Sequence, residues 1–337
     1  MIRTLEDKTV LVTGATGLIG TQLVKRMLDM GNVYVIVVGR TEQKIKKVFS
    51  DVLENPFFSY CVCDISKKFP DVNKEIDVIF HAASPISGNE ITEKPVNVIK
   101  ANIYGTFHCL EFLKNQKDTC GRSGTMIVFS SATVYGNCSE YDRQVRETDT
   151  EIAQKLEDSN VAYAESKRMI EVIAKSYVQQ FAVEVLMVRI GYVYGYLVEK
   201  PNTAFYSFVG EALAGKDLII KGTNLARRDN IYVEDVVEGL LCVYCKGENG
   251  QVYNISSGGE EGGFLAPDEI AEIIAQVMNE MDVKKRISVK YNTKFDTRKP
   301  GIILDNTKLK ELGWCLKTNI YDGIKKTVED YYLKREL

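Results

Sequence analysis

Two kinds of apolar pattern alternate along the first half of the chain. Short continuous runs of apolar and β-branched residues predict buried strands at 9–13, 34–38, 60–63, 78–81, 126–130 and 183–189. The longer helix-like stretches between them predict helices at 18–29, 42–53, 96–114 and 163–179. Strands that are apolar throughout are buried on both faces. The alternation therefore predicts an α/β fold with a doubly wound parallel sheet.

The pattern changes after about Gly195, where the elements become shorter and more mixed. The expected elements are a helix at 206–214, a strand at 218–220, a helix from Glu234, a strand at 252–255, and helices near 267–281 and 319–333. We expect residues 1–195 to form one domain and residues 196–337 to form mainly a smaller α/β lobe. Because no clean linker separates them, later crossings of the chain back to the first domain are part of this expectation.

Composition narrows the class of protein. The chain has 337 residues, of which 45% are hydrophobic and 26% charged, as in an ordinary globular protein with a substantial core. Its 43 Lys+Arg and 46 Asp+Glu leave a net charge of −3, which gives no general attraction to nucleic acid. No apolar stretch predicts a membrane span or a secretory leader, so we expect a cytoplasmic protein. The eight cysteines show no disulfide framework, and we expect no metal site.

A glycine-rich segment, Thr13-Gly14-Ala15-Thr16-Gly17-Leu18-Ile19-Gly20, directly follows the first predicted strand. Gly14 permits a tight turn, Gly17 lets a pyrophosphate approach the backbone, and Gly20 lets the next helix lie close to the sheet. The amino end of that helix offers unpaired N–H groups to an anion. Because the segment opens a β-α-β series, we expect a Rossmann-type sheet with a dinucleotide at this turn, rather than a plain strand–helix connection.

The end of the second predicted strand carries Arg40, where an acidic residue would hold a ribose 2′-hydroxyl. A guanidinium favours a 2′-phosphate, so the sequence modestly favours NADP over NAD. The alternative is a solvated arginine that opens the next helix.

Three Tyr-x-x-x-Lys matches occur: Tyr163/Lys167, Tyr196/Lys200 and Tyr321/Lys325. Only the first lies in a clear helical run, where residues four apart project from the same face. A phenol is a poor base at neutral pH. A nearby ammonium, together with the positive charge of an oxidised nicotinamide, is expected to lower its pKa. We therefore expect Tyr163 and Lys167 to be catalytic, with Lys167 also able to hold the nicotinamide ribose.

A serine-rich segment, Phe129-Ser130-Ser131-Ala132-Thr133-Val134-Tyr135-Gly136, ends the fifth predicted strand, and carboxyl ends of parallel strands bind ligands in such folds. With the glycine segment and Tyr-x-x-x-Lys, it makes the sequence similar to the extended short-chain dehydrogenase/reductase superfamily. More closely, it resembles the NAD(P)-dependent nucleotide-sugar epimerases and dehydratases over nearly its whole length. Further matching segments are 100–106, 188–195, 228–235, 254–259, 298–301 and 312–314.

The resemblance implies a Ser-Tyr-Lys triad of Ser131, Tyr163 and Lys167, with Ser130 as the alternative hydroxyl. It implies cofactor contacts from Gly14, Thr16, Gly17, Leu18, Ile19, Gly20, Arg40, Asp64, Ile65, Ala82, Ala83, Ser84, Asn102, Tyr163 and Lys167. It implies contacts with a nucleotide-diphosphate sugar from Ser84, Ser131, Thr133, Tyr192, Arg228 and Arg298, with Lys299 as the alternative to Arg298. The resemblance also implies that residues 196–337 are mainly a substrate-binding lobe. It implies a homodimer as well, since the relatives commonly dimerise through helices that match 96–114 and 163–179.

Departures from the family pattern narrow the reaction. The 4,6-dehydratases place an Asp-Glu pair directly after the triad hydroxyl, and the decarboxylases place Glu at the second of these positions, where this chain has Ala132-Thr133. Epimerases usually have an asparagine at the end of an Arg-x-x-Asn segment, and this chain has Tyr192 at that position. The segment Ser131-Ala132-Thr133-Val134-Tyr135-Gly136 looks most like that of the 4-epimerases, so we expect epimerisation at a sugar C4 hydroxyl. The alternative is an NADPH-dependent 4-keto-sugar reductase, whereas a non-catalytic dinucleotide-binding protein would be expected to lack part of the triad.

Overall fold

A seven-stranded parallel sheet forms the centre of the protein in a computed structural model, which describes residues 2–86, 88–136, 142–221, 225–281, 286–292 and 299–334. The strands are β1 (Lys8–Thr13), β2 (Val33–Gly39), β3 (Phe58–Val62), β4 (Val78–His81), β5 (Thr125–Ser131), β6 (Arg143–Val145), β7 (Glu184–Ile190), β8 (Tyr192–Tyr194), β9 (Leu218–Ile220), β10 (Arg228–Tyr232), β11 (Val252–Ile255), β12 (Phe264–Leu265), β13 (Val289–Tyr291) and β14 (Ile302–Leu304). The α-helices are α1 (Leu18–Asp29), α2 (Glu42–Val48), α3 (Gly88–Glu93), α4 (Pro95–Cys120), α5 (Val161–Phe181), α6 (Ala204–Leu213), α7 (Val233–Lys246), α8 (Pro267–Glu280), α9 (Thr307–Glu311) and α10 (Ile320–Lys334).

The strand order of the large sheet is β11-β7-β5-β4-β1-β2-β3, and every pair in it is parallel. The order reverses between β1 and β4, since the chain first builds outward through β2 and β3 and then returns to the other side of β1. In sheets of this kind, ligands bind at the carboxyl ends of the strands beside such a reversal. The candidate site is therefore expected between the ends of β1 and β4.

Both faces of the sheet are covered, as the continuous apolar strands predict. Val10 and Val12 of β1 pack into one core cluster with α1 and α7, whereas Leu11 packs into a second cluster with α4 and α5. Successive strand residues point to opposite faces, so each layer needs its own apolar set. The predicted doubly wound α/β fold is confirmed.

The smaller elements after β7 form sheets of three strands (β12-β10-β8) and two strands (β13-β9), together with α6, α8 and α10 around a separate apolar cluster. Residues 252–255, which the sequence groups with this lobe, instead pair with β7 as the edge strand β11 of the large sheet. After α7, the chain therefore returns to the large sheet.

Two predicted helix ends were wrong. Helix α2 ends at Val48 instead of residue 53, because Phe49 turns into the core and Ser50 and Asp51 are weak helix formers. Helix α4 continues six residues beyond the predicted end and stops at Gly121, whose φ of 67° closes the helix in the left-handed region.

Candidate active site

The glycine segment after β1 approaches the end of β4 so closely that a side chain at Gly14 would not fit. Gly14 has a φ of +66°, and a Cβ built on it would lie 2.6 Å from the carbonyl carbon of Ala82 and 2.7 Å from the nitrogen of Ala83. A Cβ on Gly20 would lie 2.6 Å from the Gly14 carbonyl oxygen. Gly14 and Gly20 thus hold the turn against both the neighbouring strand and the start of α1.

The amino end of α1 is open to an anion. Gly17 precedes the helix without a side-chain cap, and none of the described residues in the first turn is acidic. The first N–H groups of an α-helix have no partner within the helix, and they carry the positive end of its dipole. The Leu18 side chain is buried in the core and the Ile19 side chain packs against it, so these two residues present their backbone to the turn. The residues present fit a bound pyrophosphate.

Arg40 and Asp64 follow the ends of β2 and β3, further along the same edge of the sheet. Arg40 is exposed. The pKa of Asp64 is lowered: burial raises it, but hydrogen bonds from the Ser66 hydroxyl (2.7 Å) and N–H (3.1 Å) and the charges of Lys67 and Arg40 outweigh burial. Ile65 packs its side chain into the core, so only its backbone faces this edge.

The segment after β4 is tied to β1 by a histidine that the sequence did not single out. The Thr13 hydroxyl accepts the Ala83 N–H at 3.2 Å and lies 2.8 Å from Nδ1 of His81. Burial, and then the charge of Lys167, lower the pKa of His81 to about 3. His81 is therefore neutral near pH 7, and its hydrogen bond with Thr13 joins the ends of the two strands on either side of the reversal. Ala82, Ala83 and Ser84 are half-buried beside it.

The phenol of Tyr163 meets two serine hydroxyls at this edge. Tyr163 is half-buried, and burial raises its pKa, whereas hydrogen bonds with Ser131 and Ser84 lower it. The phenol of Tyr192 lies near enough to raise the pKa of Tyr163 slightly. In the protein without cofactor the pKa of the phenol is raised, because burial outweighs both hydroxyls and Lys167 makes no resolved contribution. The expected lowering, which includes the charge of an oxidised nicotinamide, stays a prediction.

Lys167 lies one helical turn after Tyr163 and is 4% exposed. Its Nζ donates to the Phe129 carbonyl of β5 at 2.7 Å and lies 5.7 Å from the centre of the Tyr163 ring. Burial lowers the pKa of Lys167 to about 7, against a smaller rise caused by Glu171. The amine is thus close to half-protonated near neutral pH, in contact with the strand that carries Ser131.

The two serines that end β5 have different surroundings. The Ser130 hydroxyl donates to Glu171 at 2.5 Å, behind the site. The Ser131 hydroxyl accepts the Thr133 N–H at 3.3 Å, and this hydrogen bond caps a short 3-10 helix (Ala132–Tyr135). The same hydroxyl forms a hydrogen bond with Tyr163 that lowers the pKa of the phenol. The geometry therefore brings Ser131, not Ser130, beside the phenol.

Two buried polar atoms near these groups have no hydrogen-bond partner within the described part of the chain: Asn102 Oδ1 and Thr133 Oγ1. The other end of the Asn102 amide donates to Ser166 at 2.8 Å, and the Ser166 hydroxyl donates to the Tyr163 carbonyl at 2.9 Å. Buried polar atoms are nearly always satisfied in proteins, so such atoms call for a ligand or water. Both fit a site that holds a cofactor and a polar substrate.

Tyr192 and Arg228 lie on neighbouring parallel strands of the small three-stranded sheet, β8 and β10, where Tyr192 is opposite Asn230, two residues from Arg228. The Arg228 guanidinium carbon lies 4.3 Å from the centre of the Tyr192 ring, and 48% of Tyr192 is exposed. The stack holds the guanidinium against the face of Tyr192, whose phenol acts on the pKa of Tyr163. Arg298 lies outside the described residues, and its alternative Lys299 is exposed.

The sequence profile of the NAD dependent epimerase/dehydratase family matches residues 10–256. A class of NAD-dependent epimerases and dehydratases is defined by this match, and the fold described above is consistent with it. The chain belongs to the NAD dependent epimerase/dehydratase family.

Among the described residues, none of the helices combines enough length with enough apolar character to span a bilayer.

Curated relatives carry out several different reactions. The chain is 29% identical over 334 residues to a trifunctional UDP-glucose 4,6-dehydratase/UDP-4-keto-6-deoxy-D-glucose 3,5-epimerase/UDP-4-keto-L-rhamnose-reductase of Arabidopsis thaliana, covering 97% of this chain and 48% of that one. It is 27% identical to a dTDP-D-glucose 4,6-dehydratase of Bos taurus, covering 96% of this chain and 88% of that one. The chain thus spans about half the length of the trifunctional relatives it matches.

Solved structures share the fold. A dTDP-glucose 4,6-dehydratase of Bacillus anthracis in complex with NAD is similar with a TM-score of 0.78 and 22% identity, covering 98% of both chains. A UDP-glucose 4-epimerase of Thermotoga maritima with UDP-glucose is similar with a TM-score of 0.73 and 22% identity, covering 97% of this chain and 99% of that one. These structures establish the Rossmann-type fold and do not distinguish the reactions.

Proposed function

We propose that the protein is an NAD(P)-dependent epimerase of a nucleotide-diphosphate sugar that inverts the sugar at C4. The observation that carries the proposal is the meeting of the Tyr163 phenol with the hydroxyls of Ser131 and Ser84, one helical turn from the Lys167 amine. Ser84 follows the carboxyl end of β4, which borders the reversal of strand order, and Ser131 ends the neighbouring strand β5.

Tyr163 acts as the base and then the acid. Its phenolate takes the proton of the C4 hydroxyl, with Ser131 holding the sugar oxygen and relaying the proton. A bound nicotinamide would supply the reversible hydride transfer that takes the C4 hydrogen and gives it back on the opposite face, and Lys167 and the turn at Gly14 would hold that cofactor. Tyr163 then gives the proton back to the C4 oxygen, so protons and electrons balance without net consumption of cofactor. Lys167 would hold the nicotinamide ribose, and the positive charge of the bound oxidised cofactor would favour the phenolate.

The segment after Ser131 favours epimerisation over loss of water. Removing water across C5 and C6 needs an acid and a base in addition to the tyrosine. Ala132 and Thr133, which stand at the positions where the 4,6-dehydratases hold an Asp-Glu pair, offer only a methyl group and a hydroxyl. The Thr133 Oγ1, buried without a protein partner, is instead available to a sugar hydroxyl.

The diphosphate of the substrate is assigned to Arg228, whose guanidinium is stacked on Tyr192 and therefore oriented at the edge of the site. A planar guanidinium forms two parallel charge-assisted hydrogen bonds to phosphate oxygens. Arg298, which the resemblance implies as a second phosphate contact, stays a prediction.

A second candidate function is a 4-keto-sugar reductase that consumes NADPH. The exposed Arg40 at the end of β2 favours it, since the guanidinium suits a 2′-phosphate. Stoichiometry separates the two reactions, because an epimerase turns over without net oxidation of NADPH and a reductase does not.

The test uses purified protein with UDP-glucose, UDP-galactose and dTDP-glucose as probes, with NAD+ or NADP+, and follows the C4 configuration by NMR. We expect inversion at C4 without accumulation of reduced cofactor. Tyr163→Phe should lower kcat by about a thousandfold while cofactor affinity stays the same, because general acid–base groups contribute roughly 100- to 10,000-fold.

The matched control is Tyr321→Phe, which alters the phenol of another Tyr-x-x-x-Lys sequence, on the surface helix α10, where it contacts Glu280. This control should keep full activity. Full turnover by Tyr163→Phe would overturn the role of Tyr163, and steady NADPH oxidation with a 4-keto sugar would replace the epimerase by the reductase.

We also propose that two copies associate through α4 and α5. These helices pack against each other and leave apolar side chains exposed on the outside, among them Tyr104, Phe107, Met169 and Val172. An apolar patch on neighbouring helices suits a self-complementary interface. Sedimentation equilibrium should give a dimer mass for the wild type and a monomer for Val172→Glu, and a monomeric wild type would contradict the proposal. A cytoplasmic location stays a prediction of the composition.

A further inference from the structure

Three side chains of α5 contact three consecutive residues of β5. Tyr163, Lys167 and Glu171 are four residues apart and therefore share one face of the helix. Tyr163 contacts the Ser131 hydroxyl, and Lys167 donates to the Phe129 carbonyl at 2.7 Å. Glu171 accepts the Ser130 hydroxyl at 2.5 Å. The first two contacts belong to the candidate catalytic group, whereas the third has no part in the chemistry proposed above.

Glu171 is itself held by Arg189, the residue of β7 that lies directly opposite Ser130 in the sheet. The guanidinium donates to both carboxylate oxygens of Glu171, at 2.9 and 2.7 Å, and it is 4% exposed. It also donates to the Glu147 carbonyl at 2.8 Å and lies 4.8 Å from the centre of the Tyr135 ring. A bidentate pair of this kind fixes direction as well as distance.

We propose that Glu171, clamped by Arg189, is a positioning residue that sets how α5 lies along the end of β5. By holding Ser130 it keeps the next hydroxyl, that of Ser131, against the Tyr163 phenol and keeps the Lys167 amine on the Phe129 carbonyl. This inference rests on the proposed function, because it assigns Glu171 a role in ordering that same group.

A role in fold stability alone does not explain the arrangement well. Burying an ion pair costs desolvation energy that often cancels its attraction, so a buried pair is weak evidence of a role in stability. Here the ion pair lies at the carboxyl end of β5, where the candidate site is. The Glu171 carboxylate contacts Ser130, which stands between Phe129 and Ser131 in the chain.

The electrostatics of Lys167 provide a readout of this positioning. The groups that face its amine are Tyr163 and Glu171 on α5 and His81 on β4. His81 is neutral, because burial and Lys167 lower its pKa to about 3. Glu171 is therefore the charge that raises the pKa of Lys167 against burial. Replacing it with glutamine should lower that pKa further.

The chain contains a matched control at the opposite end of the same two strands. There the Thr125 hydroxyl of β5 donates to Glu184 of β7 at 2.9 Å, and Arg3 donates to the same carboxylate at 3.4 Å. Thr125 and Glu184 are direct partners in the sheet, as Ser130 and Arg189 are. Glu184→Gln thus makes the same chemical change to a hydroxyl–carboxylate–arginine group that lies away from the site.

The experiment compares Glu171→Gln, Glu184→Gln and the wild type. Protein labelled with ¹³C-lysine is titrated by NMR, and the Lys167 signal is identified by its loss in Lys167→Met. The wild-type midpoint is expected at about 7. It should move down by about half a pH unit or more in Glu171→Gln, since removing a nearby opposite charge disfavours the ammonium, and should not move in Glu184→Gln.

Activity with UDP-glucose gives the second readout. Glu171→Gln should lower kcat about tenfold or more with KM within twofold, because misplacing catalytic groups affects the transition state more than binding. Glu184→Gln should keep the wild-type kcat. An unshifted Lys167 titration together with an unchanged kcat would overturn the proposal, as would equal effects from both variants.

The two readouts separate this inference from the proposed function. The titration needs no substrate, so a shifted Lys167 signal in a protein without epimerase activity would support the placement of Glu171 beside Lys167 and contradict only the reaction. If Glu171→Gln does not fold, Ser130→Ala keeps the ion pair and removes only its contact with the strand. It should lower kcat several-fold with KM unchanged, and an unchanged kcat in that variant would contradict the inference.

Discussion

The two sides of the candidate site, which we assign to the cofactor and to the substrate, differ in what forms them. On the cofactor side, the turn at Gly14 contacts Ala82 and Ala83 through backbone atoms at distances that leave no room for a side chain. On the substrate side, Arg228 and Tyr192 come from two strands of a small sheet and meet only through their side chains. One side is a fixed backbone surface, and the other is a pair of side chains at a half-exposed edge.

This difference decides how each side tolerates change. A backbone surface has no freedom to rearrange, so a single methyl group at the wrong place displaces the loop and the strand together. A side-chain contact can be removed while the strands that carry it remain in place. We therefore expect substitutions in the glycine turn to affect folding and binding together, and substitutions of exposed or half-exposed side chains such as Arg40 and Arg228 to affect affinity alone.

The largest effect is expected for Gly14→Ala. Its φ of +66° disfavours alanine by roughly 1–2 kcal/mol, and the added methyl would overlap the backbone of β4, at a further cost of about 1–3 kcal/mol. Chemical denaturation should show a loss of about 2–5 kcal/mol in the free energy of unfolding. Calorimetry should show no binding of NAD+, because the displaced turn no longer presents its N–H groups.

Gly31→Ala is the control for the backbone angle. Gly31 has a φ of +69° and no described atom within 4 Å of the added methyl, so only the conformational part, roughly 1–2 kcal/mol, is expected. NAD+ binding should be unchanged in this variant. Equal losses of stability for the two glycines would show that the close approach to β4 has no energetic weight, and would contradict the contrast between the two sides.

Arg228→Met should have an intermediate effect that is confined to substrate affinity. Removing a charge-assisted contact loses roughly 1.5–3 kcal/mol, which corresponds to a KM about 10- to 150-fold higher for UDP-glucose. Thermal unfolding and NAD+ affinity should stay at wild-type values, since the guanidinium lies on an exposed ring and not in a core cluster.

The control for this prediction is Arg122→Met, which removes an exposed arginine paired with Glu75 and Asp77. It should leave KM unchanged. A fall in kcat with constant KM for Arg228→Met would place the guanidinium in the chemical step instead of in diphosphate binding.

The sequence predicts the cofactor side better than the substrate side for a physical reason. The spacing of Gly14, Gly17 and Gly20 is visible because a tight backbone approach admits only one residue type. The four-residue spacing of Tyr163 and Lys167 is visible because it follows the helix repeat. Both signals are local in the chain.

Contacts between distant segments leave no such signal. Tyr192 meets Arg228 only because β8 pairs with β10, and strand 252–255 joins the large sheet only because it pairs with β7. The clamp of Glu171 by Arg189 likewise depends on the register of β5 and β7. Glu171 does lie at the next helical repeat after Lys167, so the spacing could have suggested it, but nothing in the sequence indicates its partner.

Arg40→Ala tests the smallest expected effect, on an exposed side chain at the cofactor side. An exposed ion pair contributes at most about 1 kcal/mol, so the Kd for NADP+ should rise about fivefold while the Kd for NAD+ stays within error. The loss should disappear at high salt, because screening weakens exposed charge pairs. Arg26→Ala, which removes an exposed arginine paired with Glu238, should change neither affinity. Equal weakening of NAD+ and NADP+ binding by Arg40→Ala would mean that the guanidinium acts on a group common to both cofactors. Arg40 would then give the protein no preference between them.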